Sequence, residues 1–424
     1  MKLFQPKLIS TLKSYNKKQF VNDIVAGIIV AIIALPLSIA LAIASGVSPE
    51  KGLYTAIVAG FVIALLGGSR VNISGPTAAF ATIVAGIVAT EGLDGLVIAT
   101  MLAGVILILL GLCRVGTLIK YIPHAITVGF TGGIAVTIVV GQLKDFFGIT
   151  PAPGTNAVET AEKVEMLIES ASTFNFAAFL VGIGALIFLI VWQRYIKKIP
   201  GSLIVVLLGA LVVGLFSMPV NTIGDLFTIS SSLPTPAFPA LSWERILHLL
   251  PDAVTIALLA AIESLLSCVV SDGMINDQHD SNTELIAQGC GNLCSGIFGG
   301  IPATGAIART AANVKNGGRT PISGIVHALV LLLVLVVLMP YAAWIPMPII
   351  AAVLLIVAYN MSEWRSFVKI FRSRRGIDIL ALVVTFVLTV VFNLVVAIVA
   401  GLVLYYVLLL ITRLASKKQV EKEN

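Results

Sequence analysis

The chain has 424 residues, of which 58% are hydrophobic and only 11% are charged. Soluble domains carry roughly 25% charged residues, so the composition excludes a soluble protein and predicts an all-α polytopic membrane protein. The net charge of +6 does not indicate a nucleic-acid partner, because the basic residues cluster in loops on one side of the predicted membrane.

Apolar runs near the roughly 20 residues that a membrane-crossing helix needs recur along the whole chain and predict about 14 segments. They cover residues 23–44, 52–68, 76–90, 94–112, 121–142, 174–192, 201–217, 250–271, 282–299, 303–315, 319–339, 342–359, 376–392 and 395–413. No small-residue cleavage site follows the first run, so a cleaved signal peptide is not expected.

The distribution of basic residues predicts the topology. With residues 1–22 placed in the cytoplasm, successive loops alternate between the two sides of the membrane. Every Lys and Arg except four then falls on or near the cytoplasmic side, as the positive-inside rule requires. The four exceptions are Lys51, Lys144, Lys163 and Arg245. The tail, 414–424, is also expected in the cytoplasm, which predicts a multi-pass protein of the cell (inner or plasma) membrane.

The first segment contains the stretch ALPLSIALA at 34–42. Pro36 lies in mid-helix, where it frees a carbonyl group and bends the helix. Leu37 and Leu41 are expected to form an apolar wall, which serves either ordinary packing or the boundary of a ligand site.

The two halves of the chain resemble each other. The first segment begins at Asp23 and the eighth at Asp252, and two segments later the halves read VNISGPTAAFATIVAG (71–86) and GGIPATGAIARTAANV (299–314). Two copies of seven segments must have opposite orientations in the bilayer, which predicts an inverted repeat. The predicted repeats are 23–217 and 250–413, joined by an extracellular linker, 218–249.

Segments 3 and 10 begin with Pro and small residues and are too short or too polar to be ordinary spans. Backbone without helical hydrogen bonds must be buried in protein or line a wet cavity. We therefore expect two half-helices that start near the midplane, at Thr77 and at Thr304–Gly305, and meet there. Their N–H groups and positive dipole ends would form an anion site, open at Gly75 and Gly305 and supplemented by the two threonine hydroxyls. The alternative is that Pro and Gly merely kink packed helices.

Two charged residues fall inside predicted spans. Arg309, one turn into the second half-helix, either extends the positive field over the site or pairs structurally with Glu263. Glu263 is expected to be the one carboxylate deep inside a span, where it carries a proton, holds a cation, or serves as the fixed partner of Arg309. Ser264 and Ser267 flank it, and Ser267, at i+4 on the same face, is the expected helper.

Motifs for catalysis or metal binding are missing from the sequence. Cys290 and Cys294 share a helix face but read as small buried residues, and the four histidines are scattered. An intramembrane protease would need paired aspartates, a Ser/His couple or a zinc motif. The chain is therefore not expected to be an enzyme or to hold a cofactor.

Four motifs resemble those of the SulP anion permeases, called solute carrier family 26 in animals. They are LPLSIALAIASGVSPEKGLYTAIVAG (35–60), GSRVNISGPTAAF (68–80), IPHAITVGFTGGIA (122–135) and GGIPATGAIARTAANVKNGGRTPISG (299–324). The resemblance implies seven plus seven inverted repeats, a core domain of segments 1–4 and 8–11, and a gate domain of segments 5–7 and 12–14. It also implies an elevator motion and a homodimer.

The resemblance also implies the site residues. The anion would bind at Thr77, Ala78 and Ala79 with Gly305, Ala306 and Ile307, surrounded by Leu37, Leu41, Glu263 and Ser267. Sodium-coupled bicarbonate relatives carry Asp in place of Glu263 and a hydroxyl in place of Ile307, whereas proton-coupled relatives carry Glu. The C-terminal STAS domain usual in the family is not expected here.

These features predict a secondary active transporter of sulfate, bicarbonate or a dicarboxylate in symport with H⁺. The alternatives are a sodium-coupled bicarbonate symporter, and an anion exchanger or passive channel of the same fold. A nucleobase permease is a distant alternative, because that class carries a second carboxylate on segment 10 and positions 303–314 contain none.

Overall fold

The computed structural model describes residues 4–152, 155, 157–196, 200–373, 375–392 and 394–423. The first half of the chain forms the helices α1 (Lys7–Leu12), α2 (Lys17–Ala44), α3 (Pro49–Leu66), α4 (Ala81–Leu112), α5 (His124–Phe147), α6 (Thr160–Glu169), α7 (Phe176–Tyr195), α8 (Gly201–Leu215) and α9 (Ile223–Leu226). The second half forms α10 (Trp243–Ile275), α11 (Ser281–Ile297), α12 (Ile307–Lys315), α13 (Ile322–Leu338), α14 (Met347–Met361), α15 (Trp364–Arg372), α16 (Gly376–Val391) and α17 (Leu394–Glu423).

The all-α prediction is confirmed. Among the described residues, eight helical stretches are long and apolar enough to cross a membrane, and three shorter apolar helices accompany them. Each predicted segment coincides with a helix or with part of one. Segments 3 and 4 correspond to the two helical parts of α4, which are separated by a break at Gly92, where φ is +69° and ψ is −169°. A residue with a side chain rarely adopts this conformation, so the glycine permits the break.

Several boundaries differ from the predictions. Helix α10 begins at Trp243, inside the stretch predicted as a linker, because the Ser242 side chain caps its N-terminus by accepting a hydrogen bond from Arg245 N at 3.2 Å. The predicted loop between segments 5 and 6 contains α6, whose first turn is held by Glu162 accepting from Glu159 N at 3.0 Å. Helix α17 continues into the predicted tail.

The helices pack in two groups, and each group takes members from both halves of the chain. In one group, α4 contacts α10 and α11, and α13 contacts α2 and α3. In the other, α5 contacts α14 and α16, and α14 contacts α7. Close approach depends on small residues, since a Cβ at Gly104 of α4 would lie 2.7 Å from the Gly289 carbonyl oxygen of α11. The expected division into a core and a gate domain stays a prediction.

A two-stranded antiparallel ladder joins the two chain segments that precede the half-helices. It consists of β1 (Ser74–Gly75) and β2 (Thr304–Gly305). The two chain segments therefore run in opposite directions where they meet. The inverted relation of the complete halves stays a prediction.

Candidate functional site

The short ladder brings the two interrupted segments together, as the sequence predicts. Ser74 pairs with Gly305 and Gly75 with Thr304, and the Ala306 N–H extends the pairing by donating to the Ile73 carbonyl at 2.9 Å. Helical structure follows at once on both sides, as a 3₁₀ turn over Ala78–Phe80 that leads into α4, and as α12 from Ile307. The second start lies after the predicted Thr304–Gly305 because those residues are paired as a strand.

Neither helix start is capped by a side chain. Thr77 and Ala306 occupy the N-cap positions, and neither side chain accepts a hydrogen bond from its helix. The first N–H groups of a helix have no partner within the helix, and they carry the positive end of its dipole. Two uncapped positive ends therefore lie within a few residues of one ladder.

Arg309 links the two starts. Its side chain is only 3% exposed, and Nη2 donates to the Pro76 carbonyl oxygen of the opposite segment. Its Nη1 is buried and has no hydrogen-bond partner, and a Cβ at Gly75 would lie 2.6 Å from that atom. Of the two predicted roles, the structural pairing with Glu263 is not observed as a hydrogen bond, since the guanidinium bonds to a backbone carbonyl instead. The two charges lie close enough to interact electrostatically.

Glu263 of α10 lies beside the first helix start. Its Oε2 accepts a hydrogen bond from Thr77 Oγ1 at 2.9 Å, and the residue is partly exposed although its neighbours Ile262 and Ser264 are buried. One helical turn earlier, the Ala260 carbonyl accepts the Thr304 hydroxyl at 2.8 Å. Contrary to the expectation that both threonine hydroxyls are free to donate to a ligand, each one donates to α10.

Glu284, in the first turn of α11, is a second acidic residue without solvent contact, since it is completely buried. The expectation that Glu263 is the one carboxylate deep inside a span stays a prediction. The oxygens of Glu284 accept hydrogen bonds from five donors: Gly68 N at 2.9 Å, Ser69 N at 3.2 Å, Asn72 Nδ2 at 2.7 Å, Gln288 Nε2 at 3.0 Å and Ser264 Oγ at 3.4 Å. The sequence contained a signal for it, since Glu284 lies inside the predicted segment 282–299 with a polar residue one turn later.

Ser267 belongs to this buried polar network. Its hydroxyl lies 2.8 Å from Asn72 Oδ1 and 3.1 Å from Thr310 Oγ1, and Thr310 in turn accepts from Ile73 N at 3.0 Å. These bonds hold the segment that precedes β1 against α10 and α12. In this structure Ser267 therefore supports the ladder, and its hydroxyl bonds to the network rather than to Glu263.

The remaining predicted site residues lie at the same junction. Ala78 and Ala79 are buried in one apolar cluster with Leu41, and Leu37 packs against that cluster. Ala306 is 7% exposed and Ile307 is partly exposed. Helix α2, which carries Leu37, Leu41 and Pro36, contacts α12. The predicted apolar wall is thus adjacent to the helix starts.

Asp23 also escaped notice as a buried acceptor. It is 0% exposed and binds the residues after α12, accepting from Arg319 N at 2.8 Å and from the Thr320 hydroxyl at 2.6 Å. Tyr15 OH donates to the same carboxylate at 3.0 Å. Burial, followed by the neighbouring Asp23, raises the pKa of Tyr15 to about 12. The start of α2 and the end of the second half-helix are thereby joined.

Metal sites and cavities in the rest of the described chain would be the alternatives to the ladder. The described residues contain no group of three or more His, Cys, Asp or Glu side chains that could hold a metal ion. Cavities of about 630 Å³ beside α6 and about 320 Å³ between α7 and α8 are lined mainly by apolar side chains and include none of the predicted site residues. Neither cavity therefore belongs to the surroundings of the ladder.

The chain is similar to a known family of membrane proteins. Residues 20–385 match the model of the sulfate permease family. The chain is 44% identical over 383 residues to YvdB of Bacillus subtilis, named provisionally as a sulfate transporter, covering 89% of this chain and 71% of that protein. It is 34% identical over 371 residues to the bicarbonate transporter BicA of Picosynechococcus sp., covering 84% of this chain and 64% of that protein.

Solved structures show the same fold. The transmembrane domain of a cyanobacterium bicarbonate transporter BicA superposes with a TM-score of 0.82 at 29% identity, covering 91% of this chain and 98% of that one. Murine solute carrier 26 family member A9, an anion transporter in the inward-facing state, has a TM-score of 0.85 at 20% identity and supports the fold alone. That alignment covers 96% of this chain and 71% of the murine chain.

Proposed function

The chain belongs to the sulfate permease family of membrane transporters, which is not a family of enzymes, and on this premise we propose that it is a secondary active transporter of a small anion. The candidate substrates are sulfate, bicarbonate and a small dicarboxylate. Relatives of this chain are named as sulfate transporters and as bicarbonate transporters. The ladder between the half-helices is the proposed binding site.

A single observation carries this proposal: the buried guanidinium of Arg309, with one nitrogen unpartnered, beside two uncapped helix starts. A buried cationic group without a carboxylate hydrogen-bond partner is costly, because its hydration has been removed. An anion at the junction would supply the missing acceptor. The free N–H groups of both helix starts would then share its charge. Backbone amides read charge and size, so several small oxyanions satisfy the same site.

We propose that Glu263 couples transport to H⁺. It is partly exposed beside the proposed site, and its Oε2 already accepts a hydrogen bond from the first helix start. A carboxylate there repels the substrate, whereas its protonated form does not, so proton and anion would bind together. Sodium coupling is the alternative, but Ile307 supplies no side-chain oxygen at the second helix start. The nucleobase alternative is disfavoured because positions 303–314 contain no carboxylate.

The proposal includes the motion and the setting. The packing of the two helix groups supports an elevator movement of the group that carries the site against the group around α5, α14 and α16. We further propose a homodimer in the cell membrane with both termini in the cytoplasm. The positive-inside distribution of Lys and Arg supports that orientation.

The test uses purified protein in proteoliposomes. Uptake of labelled sulfate, bicarbonate and fumarate is measured in turn under an imposed inward proton gradient, with oxalate and chloride as further competitors. We expect the gradient to drive accumulation of one of these anions. Glu263→Gln should abolish gradient-driven accumulation but leave anion exchange, and Arg309→Ala should weaken anion affinity at least about tenfold.

The controls separate the two claims. Glu165→Gln on α6, an exposed carboxylate outside the site, should behave as the wild type. Accumulation that ignores the proton gradient but follows a sodium gradient would replace H⁺ by Na⁺ as the coupling ion. Unchanged affinity in Arg309→Ala would remove the guanidinium from the site.

A further inference from the structure

One threonine hydroxyl connects Glu263 to the first helix start. Thr77 is the N-cap residue of the Ala78–Phe80 turn, a position at which threonine usually accepts a hydrogen bond from its own helix. Here that bond is missing, and the hydroxyl donates instead to Glu263 Oε2 at 2.9 Å. The hydrogen of this hydroxyl is thus engaged with a carboxylate, and such a bond is stronger than one between two neutral groups.

The direction of this hydrogen bond depends on the proton of Glu263. A hydroxyl has one hydrogen and two acceptor sites, an ionised carboxylate can only accept, and a protonated carboxyl can donate. While Glu263 is ionised, Thr77 must direct its hydrogen towards α10 to keep this bond, so that hydrogen is not available to a ligand. Once Glu263 is protonated, the carboxyl can donate to Thr77 Oγ1. The threonine hydrogen is then released for another acceptor.

We propose that Thr77 transmits the protonation state of Glu263 to the anion by this reversal of hydrogen-bond direction. The proposal rests on the proposed function, which supplies the anion site and the proton. In the ionised state the hydrogen of Thr77 is held by Glu263, so the hydroxyl cannot donate to an anion. In the protonated state its hydrogen becomes one more donor at a helix start that already carries free N–H groups. Anion binding therefore favours protonation, and protonation favours anion binding.

The other threonine cannot act in this way. Thr304 is completely buried, and its hydroxyl donates to the backbone carbonyl of Ala260 at 2.8 Å. A backbone carbonyl accepts in every protonation state, so that hydrogen stays engaged. The two threonines therefore differ, because only Thr77 is bonded to a side chain that can be protonated.

The other charged groups on elements packed against α10 have partners of their own, so Glu263 is the titratable group bonded to Thr77. Arg309 on α12 acts on Glu263 electrostatically and hydrogen-bonds to Pro76. Glu284 on α11 already accepts from five donors, including Ser264 of α10. Glu91 on α4 lies 3.0 Å from His248, which is roughly 22 Å from Glu263 along the helix at 1.5 Å per residue.

The experiment compares Thr77→Val, which keeps the shape without the hydroxyl, with Thr77→Ser, which restores it. Anion affinity is measured by isothermal titration or by competition in proteoliposomes, across a pH range that protonates and deprotonates Glu263. One charge-assisted hydrogen bond corresponds to a change in affinity on the order of tenfold to a hundredfold. The measured quantity is the ratio of anion affinity at the acidic end of the pH range to that at the alkaline end. We expect Thr77→Val to lower this ratio by at least about tenfold and Thr77→Ser to retain it. Size-exclusion profiles and thermal unfolding verify that each variant is folded.

The outcomes distinguish this inference from the proposed function. A pH dependence that disappears in Glu263→Gln but persists unchanged in Thr77→Val would overturn the role of Thr77 and leave proton coupling intact. Anion binding that Thr77→Val weakens equally at every pH would also overturn it, because the hydroxyl would then be a plain ligand contact. Failure of the wild type to bind or transport any small anion would refute the proposed function itself.

Discussion

Replacing Glu284 by glutamine tests whether the buried network behind the ladder stabilises the fold. Oε2 of Glu284 accepts the backbone N–H groups of Gly68 and Ser69, and Oε1 accepts the side chains of Asn72 and Gln288. Glutamine keeps only one acceptor oxygen. If that oxygen stays with the two backbone groups, the new NH₂ faces the donors of Asn72 and Gln288.

The neighbours can relieve this conflict only in part. Asn72 cannot turn its amide without losing the contacts of its Oδ1 with Ser267 and Thr310. Gln288 can present its unpartnered Oε1, to which the Ser74 hydroxyl can then donate, so the donor that stays without an acceptor is the amide of Asn72. At least one bond to a charged acceptor is lost, at roughly 1.5–3 kcal/mol, and one buried donor is left unpaired, at roughly 1–3 kcal/mol. We therefore expect a loss of about 2–5 kcal/mol in the free energy of unfolding.

The assay is thermal unfolding of the detergent-solubilised protein, followed by its intrinsic fluorescence. We expect Glu284→Gln to lower Tm by on the order of 5 °C and to reduce anion uptake, because β1 loses its support. The matched control is Glu165→Gln on α6, which removes an exposed carboxylate and should leave Tm unchanged. A Tm for Glu284→Gln within about 1 °C of the wild type would refute the assigned role of the network.

Two further predictions concern the proposed anion site and the hydrogen bond between Tyr15 and Asp23. Gly75→Ala should lower anion affinity by about tenfold, because its Cβ would lie 2.6 Å from Arg309 Nη1 and displace the guanidinium. Gly141→Ala is the control, because its Cβ would meet nothing within 4 Å. Equal affinities of the two variants in competition assays would contradict the assigned role of Gly75. Burial and Asp23 raise the pKa of Tyr15 from 10.0 to about 12, so its contribution to stability should be complete below about pH 10 and be lost towards pH 12. The Tm difference between wild type and Tyr15→Phe should therefore shrink over that interval, and a constant difference would exclude the Tyr15–Asp23 bond as its source.

Local features were sufficient to predict the helical spans and the two interrupted segments. Span length follows from the thickness of the bilayer, and the breaks follow from Pro76, Pro302 and adjacent small residues, which are read directly from the chain. The meeting of the two breaks was also predictable, because matching motifs occupy matching positions in the two halves. The exact helix starts were not, since Thr304 and Gly305 look like an N-terminus but pair as a strand.

What the sequence by itself determined is therefore the membrane class, the order of the spans and the identity of the residues around the breaks. The tertiary structure alone decided which of these residues bond to one another. Thr77 donates to a carboxylate 186 residues away, and Arg309 to a carbonyl 233 residues away. Composition and periodicity act over a few turns of helix, whereas the partner of a buried donor is set by how distant helices pack. For this reason the sequence did not indicate that Glu284 accepts hydrogen bonds from five donors, which only the packing of distant helices brings together.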